Sequence, residues 1–179
     1  LVRFFYFERN WTTKSSEFLE KKQLRIANPL FHFGLLCVIG GHVVGVLIPK
    51  TWTAAIGIND HMYHQGALYM GAVAGIIFIV GFLLLMKRRF TVPAMKVNTS
   101  GLDKWLYLFL TLAIFSGMAG TLLNASGFFD YRVSIGPWFR SLLSFMPDPS
   151  LMEGVPFMFK FHMLAWMVVA IIFPFSRLV

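Results

Sequence analysis

Apolar residues are gathered in four long runs, with polar stretches between them. The runs cover about residues 28–49, 62–86, 102–123 and 156–179. A helix needs about 20 apolar residues to cross the hydrocarbon core of a bilayer. The pattern therefore predicts an all-α membrane protein, a transmembrane helix bundle with four complete spans that form a single domain.

The polar stretches predict the connections. Residues 1–7 are apolar and aromatic and look like the end of a truncated earlier span, so we expect five spans in the intact chain. The rest of residues 1–27 is polar and predicts an aqueous loop, in which SSEFLEKKQL can form a short helix. Residues 50–60 predict a short loop. Residues 124–155 predict a long loop, in which GPWFRSLLSFM is typical of a helix that lies in the membrane interface.

Composition agrees with a membrane protein and excludes other classes. The chain is 57% hydrophobic and 13% charged, with a net charge of +8. Cys37 is the only cysteine, which excludes both a disulfide framework and a cluster held by thiolates.

Basic residues predict the orientation in the membrane. Twelve of the 16 lie in residues 1–27, in residues 87–104 or at Arg177. The opposite connections carry the other four: Lys50, Arg132, Arg140 and Lys160. The positive-inside rule places the richer side in the cytoplasm, with the intact N-terminus outside and the C-terminus inside. This distribution makes anionic lipid, and not nucleic acid, the expected partner of the basic loops.

Two histidines in the first run predict a cofactor. His32 and His42 lie ten residues apart, which separates them by about 15 Å along a helix and turns them roughly 80° from each other. They therefore serve two sites at two depths, and two stacked haems fit this spacing better than one metal ion. Glycines remove side-chain bulk where a macrocycle or a neighbouring helix approaches: Gly34, Gly40, Gly41 and Gly45. The alternative is that each histidine only bonds a neighbouring helix.

The depth of the histidines predicts a pairing. His42 lies near the outer end of its span, and His162 lies near the outer start of the last span, so each is about 9 Å below the outer surface. They can ligate one iron between them. A partner for His32 on the face of His162 would come directly after Val179, because 18 residues at ~100° make five whole turns.

The remaining histidines, His61 and His64, stand where the second span begins at the outer side. They are either interfacial histidines in contact with water or proton acceptors beside a quinol site, since imidazole titrates near physiological pH. His64 is the better candidate for an acceptor because it lies further along the helix.

Several motifs carry a resemblance to a known family. NPLFHFGLLCVIGGHVVGVLIP, NDHMYHQ, FDYRVSIGPWF, LMEGVPFMFKFH and FPFSRLV occur in order between Trp11 and Val179. Together they resemble the gamma subunit of respiratory nitrate reductases, the membrane cytochrome b that anchors that enzyme, in a form similar to that of Gram-positive bacteria.

The resemblance implies a dihaem cytochrome b. The outer haem takes His42 and His162 as axial ligands, with Gly41 near this haem and the quinol; the inner haem takes His32 and a histidine just after FPFSRLV. Menaquinol or ubiquinol is oxidised near the outer face, and electrons pass through the two haems b to an iron-sulfur beta subunit. A molybdenum alpha subunit then reduces nitrate.

Two other functions stay open from the sequence. One is the related cytochrome subunit of a sulfite-reducing membrane complex, which would share the haem ligands. The other is a membrane anchor or transporter without redox chemistry, in which the histidines are structural or relay protons.

Overall fold

A computed structural model of the protein describes residues 21–176. In chain order these residues form α1 Leu24–His42, a π-helical segment Val43–Leu47, α2 Lys50–Ala55, α3 Asp60–Thr91, α4 Pro93–Val97, α5 Gly101–Leu123, α6 Ile135–Leu143, a 3₁₀ turn Pro149–Met152, α7 Phe157–Ile172 and a 3₁₀ turn Phe173–Phe175. This part of the chain contains no strand.

Four stretches are long and apolar enough to cross a membrane: Leu24–Leu47, Asp60–Thr91, Gly101–Leu123 and Phe157–Phe175. The predicted all-α bundle with four spans is confirmed. The predicted end of an earlier span, the loop that follows it as far as residue 20 and most of the short helix within that loop lie outside the described residues, as do residues 177–179. We call the end of the bundle with residues 48–59 and 124–156 the long-loop end. The opposite end, with residues 92–100, is the short-loop end.

Capping residues set the limits of the two middle spans. α3 extends beyond the predicted 62–86 because the Asn59 side chain accepts a hydrogen bond from the backbone of Met62, and because Arg88 and Arg89 suit the negative end of the helix dipole. α5 begins with a capping box, in which the side chains of Ser100 and Asp103 each bond the other's backbone N–H.

The first and last spans differ more from the predictions. α1 begins at Leu24, before the predicted start at residue 28, and contains Pro29. A proline removes one helical hydrogen bond, here near the polar start of the helix. The predicted loop over residues 50–60 is wrong in its first half, where α2 follows Pro49. Around Pro174, the last span changes from α-helix to 3₁₀ turn.

Glycines bring α1 and α3 into close contact. A Cβ at Gly34 would lie 2.5 Å from the backbone nitrogen of Phe78, and a Cβ at Gly81 would collide with the backbone of Phe31. Each glycine therefore receives the backbone of the other helix, which is the role of small residues between membrane helices.

Two apolar clusters join the remaining spans. α3 and α5 meet through Phe78, Phe82 and Ile114, and α5 and α7 meet through a cluster that contains Leu106, Ala113, Ala165 and Val169. The spans thus pack in the order α1, α3, α5, α7. α1 and α7, at the two ends of this row, approach each other at two histidines.

Candidate functional site

His42 of the first span and His162 of the last span lie close together. His42 is the last residue of α1, and His162 follows the start of α7 by about one and a half turns. Their ring centres are 5.9 Å apart, and the ring planes differ by 34°. Two imidazoles that share one metal ion have ring centres ~6 Å apart, because each nitrogen lies ~2 Å from the metal. The separation of the two rings is therefore compatible with a shared iron.

Hydrogen bonds select the same tautomer in both rings. Nδ1 of His42 lies 2.7 Å from the carbonyl oxygen of Val38, one turn earlier in its own helix. Nδ1 of His162 lies 2.9 Å from the carbonyl oxygen of Ala113 in α5. A carbonyl oxygen only accepts, so each Nδ1 carries the proton and donates it. Each Nε2 keeps its lone pair, the state in which imidazole binds a metal.

His32 shows the same pattern. Its Nδ1 donates to the carbonyl oxygen of Asn28, 2.9 Å away, and its ring stands edge-on to Phe31 with centres 5.2 Å apart. Its Nε2 is therefore also available to a metal. The partner predicted for His32 follows Val179, so the structure does not test this second pair.

The glycines of α1 divide into two kinds. Gly34 and Gly45 face other parts of the protein, since a Cβ at Gly45 would lie 2.9 Å from the ring of Tyr131. Gly40 and Gly41 face open space, with nothing within 4 Å of an added Cβ. Gly41 thus leaves open space next to His42, and its predicted place beside a haem stays a prediction.

His64 and His61 are placed differently from the other three. The Nε2 of His64, not its Nδ1, lies 3.1 Å from a carbonyl oxygen, that of Ala125. His64 lines a pocket of about 90 Å³ at the long-loop end. Tyr63, Asp130 and Arg132 also line this pocket. His61 is exposed. The structure therefore separates the two histidines: His64 lines this pocket, and His61 does not.

A cluster of charges beside this pocket was not predicted from the sequence. Lys50 lies 2.8 Å from Asp60 and 3.0 Å from Asp130, and Arg132 lies 2.9 Å from Asp60. The Arg132 guanidinium also stacks on the ring of Tyr63, 3.6 Å from its centre. We call Lys50, Asp60, Asp130 and Arg132 the long-loop cluster. It ties α2, α3 and the long loop together.

The charges of the long-loop cluster perturb one another. Hydrogen bonds to Asp60 and Asp130 raise the pKa of Lys50 above its ordinary value of 10.5. Burial on its own raises the pKa of Asp130, but hydrogen bonds from Lys50 and from the backbone N–H of Arg132 outweigh it, and the net pKa lies below 3.8. Lys50 and Asp130 therefore stay ionised at neutral pH.

The π-helical segment after His42 was also missed. Its carbonyl at Val46 accepts a hydrogen bond from Arg140 of α6 at 2.7 Å. At Gly136, an added Cβ would lie 3.2 Å from Arg140 and 3.4 Å from that carbonyl, so the start of α6 packs directly on the π segment. Such segments recur near functional sites. A π-helical segment has no characteristic spacing of apolar residues, so the sequence did not predict this one.

The donor set suits a haem better than a bare metal ion. Within the described residues no group of three or more His, Cys, Asp or Glu side chains could hold a metal. A haem iron already has the ring nitrogens of its macrocycle and takes only axial ligands from the protein. Two histidines with free Nε2 atoms are enough.

Comparison with known proteins gives consistent relatives. A family model described as "Nitrate reductase gamma subunit" matches residues 1–179. The chain is 47% identical over 180 residues to the nitrate reductase gamma chain of Bacillus subtilis (strain 168), with 100% of this chain and 81% of that protein aligned. It is 28% identical to the respiratory nitrate reductase 1 gamma chain of Escherichia coli (strain K12), of which 80% is aligned. The nitrate reductase-like protein NarX of Mycobacterium tuberculosis (strain ATCC 25618 / H37Rv) is 39% identical, and 28% of its length is aligned.

Proposed function

Because the chain belongs to the nitrate reductase gamma subunit family, we propose that it is the dihaem cytochrome b that oxidises quinol and sends the electrons to nitrate reduction on another subunit. The observation that carries the proposal is the pair of His42 and His162. Their rings are 5.9 Å apart, and the Nδ1 of each ring donates to a carbonyl oxygen, so both Nε2 lone pairs are available for one iron.

The proposal assigns two haem b groups to this chain. His42 and His162 hold one, and His32 holds the other together with a histidine that follows Val179. Gly41 leaves room for the macrocycle beside His42. When bound, haem supplies a centre that accepts and gives up single electrons.

Quinol gives up protons together with its electrons, so its oxidation site needs a proton acceptor. We assign this role to His64 at the long-loop end. Its Nε2 donates to Ala125, which leaves the lone pair on Nδ1 as the base. The pocket of about 90 Å³ beside it, lined by Tyr63 and Asp130, has room for a few water molecules that carry the proton onward.

The partner subunits belong at the short-loop end. A gamma chain is one subunit of a nitrate reductase complex, and we propose an iron-sulfur beta subunit and a molybdenum alpha subunit as the others. Lys87, Lys96 and Lys104 lie in or beside the short-loop end, where they can meet an acidic surface or anionic lipid head groups.

This assignment requires the short-loop end to face the cytoplasm. Single cysteines at Val97 and at Phe145 test the orientation, because both side chains are exposed, 86% and 92% respectively. Cys37 is first replaced with Ala so that each variant carries one thiol. An impermeant maleimide should label position 145 in intact cells and position 97 only in permeabilised cells. The reverse result would invert the topology.

Counting haems tests the function itself. His42→Ala and His162→Ala should each remove one haem from the purified complex, and the double variant should remove no more than one, because both histidines serve the same iron. His32→Ala should remove the other haem. The measurement is haem per complex from the pyridine haemochrome assay, with quinol:nitrate activity as a second readout.

His61→Ala is the matched control, since His61 is exposed and lies near the same end of the bundle. It should keep both haems. If the double variant of His42 and His162 lost both haems while each single variant lost one, the two histidines would serve different irons. If the wild-type complex contained no haem, the proposed function would be wrong.

A further inference from the structure

The two proposed ligands of one iron are held in different ways. His42 takes its carbonyl partner, Val38, from its own helix. His162 takes its partner, Ala113, from α5, a different span. Packing between α5 and α7 therefore controls the orientation of one ring, whereas local helix geometry controls the other.

α5 makes room for the His162 ring at Gly117. A Cβ at this position would lie 2.8 Å from Cε1 of His162 and 3.1 Å from its Nδ1. Separations below about 3 Å lie inside van der Waals contact, so any larger residue has to push the ring away. The ring could then no longer keep its Nδ1 at 2.9 Å from the Ala113 carbonyl.

Ser116 adds a second polar contact. Its hydroxyl is buried, donates to the carbonyl of Ala113 at 3.2 Å and lies 3.3 Å from Nδ1 of His162. The hydroxyl oxygen is a second acceptor for the same Nδ1 proton. One turn of α5 therefore provides both the space and the acceptors for this imidazole.

We propose that Gly117 and Ser116 are positioning residues that set the electronic character of His162 as a ligand. The inference rests on the proposed function, because it concerns the haem that His42 and His162 would share. A histidine whose Nδ1–H is hydrogen-bonded is a more basic ligand, and a more basic ligand favours the oxidised iron. Weakening this bond should make the reduction potential of that haem more positive.

The test compares two glycines of the same helix. In Gly117→Ala the new methyl group meets the imidazole, whereas in Gly120→Ala it meets Met158 and Phe159 at 3.9 Å, an ordinary contact. Redox titration of the purified complex, followed by haem absorbance and by the low-spin haem signals in electron paramagnetic resonance, gives each haem separately. Gly117→Ala should raise the potential and shift the signal of one haem only, and Gly120→Ala should change neither.

Ser116→Ala is a second variant that adds no volume. It should shift the same haem in the same direction by a smaller amount. If the Gly117→Ala complex lacks that haem or fails to assemble, the Ser116→Ala titration decides the outcome. Wild-type potentials in both Gly117→Ala and Ser116→Ala would overturn the inference. Where the Gly117→Ala complex cannot be titrated, a wild-type potential in an assembled Ser116→Ala complex would overturn it. If the inference fails but the wild-type complex contains two haems, the proposed function still stands. If the wild-type complex contains no haem, both the inference and the proposed function are wrong.

Discussion

Each end of the bundle contains an arginine that contacts an aspartate and a tyrosine, but the aspartate is exposed at one end and buried at the other. At the long-loop end Arg132 lies 2.9 Å from Asp60, and its guanidinium stacks 3.6 Å from the ring centre of Tyr63. At the short-loop end Arg89 lies 3.4 Å from Asp103, and its guanidinium lies 5.6 Å from the ring centre of Tyr107. Through an arginine, an aspartate and a tyrosine, the long-loop end thus joins α3 to the long loop, and the short-loop end joins α3 to α5.

The difference lies in the carboxylates. Asp103 is completely buried, whereas the side chains of Asp60 and Asp130 are 65% and 36% exposed. An ion pair that water reaches contributes little to stability, but a buried charge that loses its partner is costly. The short-loop end therefore uses its buried aspartate to hold α3 and α5 together, whereas the aspartates of the long-loop end are exposed to water.

This difference suits the proposed function. The long-loop end has the pocket beside His64, and protons released there need a hydrated route outward. The exposed carboxylates of Asp60 and Asp130 line that pocket, where they can accept hydrogen bonds from water. The short-loop end, where electrons would leave, needs no such route and is sealed by Asp103 and by the capping box with Ser100.

The largest effect that follows from the comparison is expected at the short-loop end. Asp103→Asn should lower the free energy of unfolding by about 3–5 kcal/mol, because the largely buried guanidinium of Arg89 would lose its carboxylate partner. The same change weakens the capping box, since a neutral amide accepts the backbone N–H of Ser100 less strongly. Thermal unfolding of the purified complex in detergent measures the loss.

Asp60→Asn is the matched control at the other end. It removes a carboxylate that is 65% exposed, and Arg132 keeps Asp130 nearby at 3.5 Å. Its effect should be under about 1 kcal/mol. Equal losses in the two variants would mean that burial does not distinguish the two ends, and the comparison would fail.

Most of the fold could be predicted from the sequence, because spans are defined by runs of apolar residues and the bilayer fixes their length. The details depend on single interactions. The extension of α3 to Thr91 comes from Asn59 and from the arginines near its end, and the π segment after His42 has no periodic signal. α2 was missed because a helix of six residues is too short for an apolar run to reveal it.

The candidate site, like the fold, could be predicted from the sequence only in part. Depth along antiparallel spans, which follows from counting residues, was enough to predict that His42 and His162 lie close together, and their ring centres are 5.9 Å apart. The sequence alone does not distinguish Gly117, which meets an imidazole, from Gly120, which meets Met158. That distinction depends on how α5 is rotated against α7. The long-loop cluster was missed because its charges lie far apart in sequence, with Lys50 and Asp130 separated by 80 residues.

The smallest expected effect belongs to Asp130, and its pH dependence sharpens the comparison. The folded protein holds the pKa of Asp130 below 3.8, so its contribution to stability is complete above that value and is lost as the pH falls through the folded pKa. The pKa of Lys50 is raised above 10.5, so its contribution is complete below that value and is lost as the pH rises further. Between these limits the Lys50 and Asp130 pair should not respond to pH.

Asp130→Asn should therefore lower the free energy of unfolding by about 0.5 kcal/mol, the size typical of exposed ion pairs, and by the same amount at every pH from about 5 to 9. Below about pH 3.8 the two proteins should converge, and added salt should narrow the gap at neutral pH because it screens a pair that water reaches. The measurement is the difference in melting temperature between wild type and variant across pH and ionic strength. A gap that changes between pH 5 and 9, or one that salt leaves untouched, would mean that the Lys50 and Asp130 pair is buried in the assembled complex, and the two ends would then be alike.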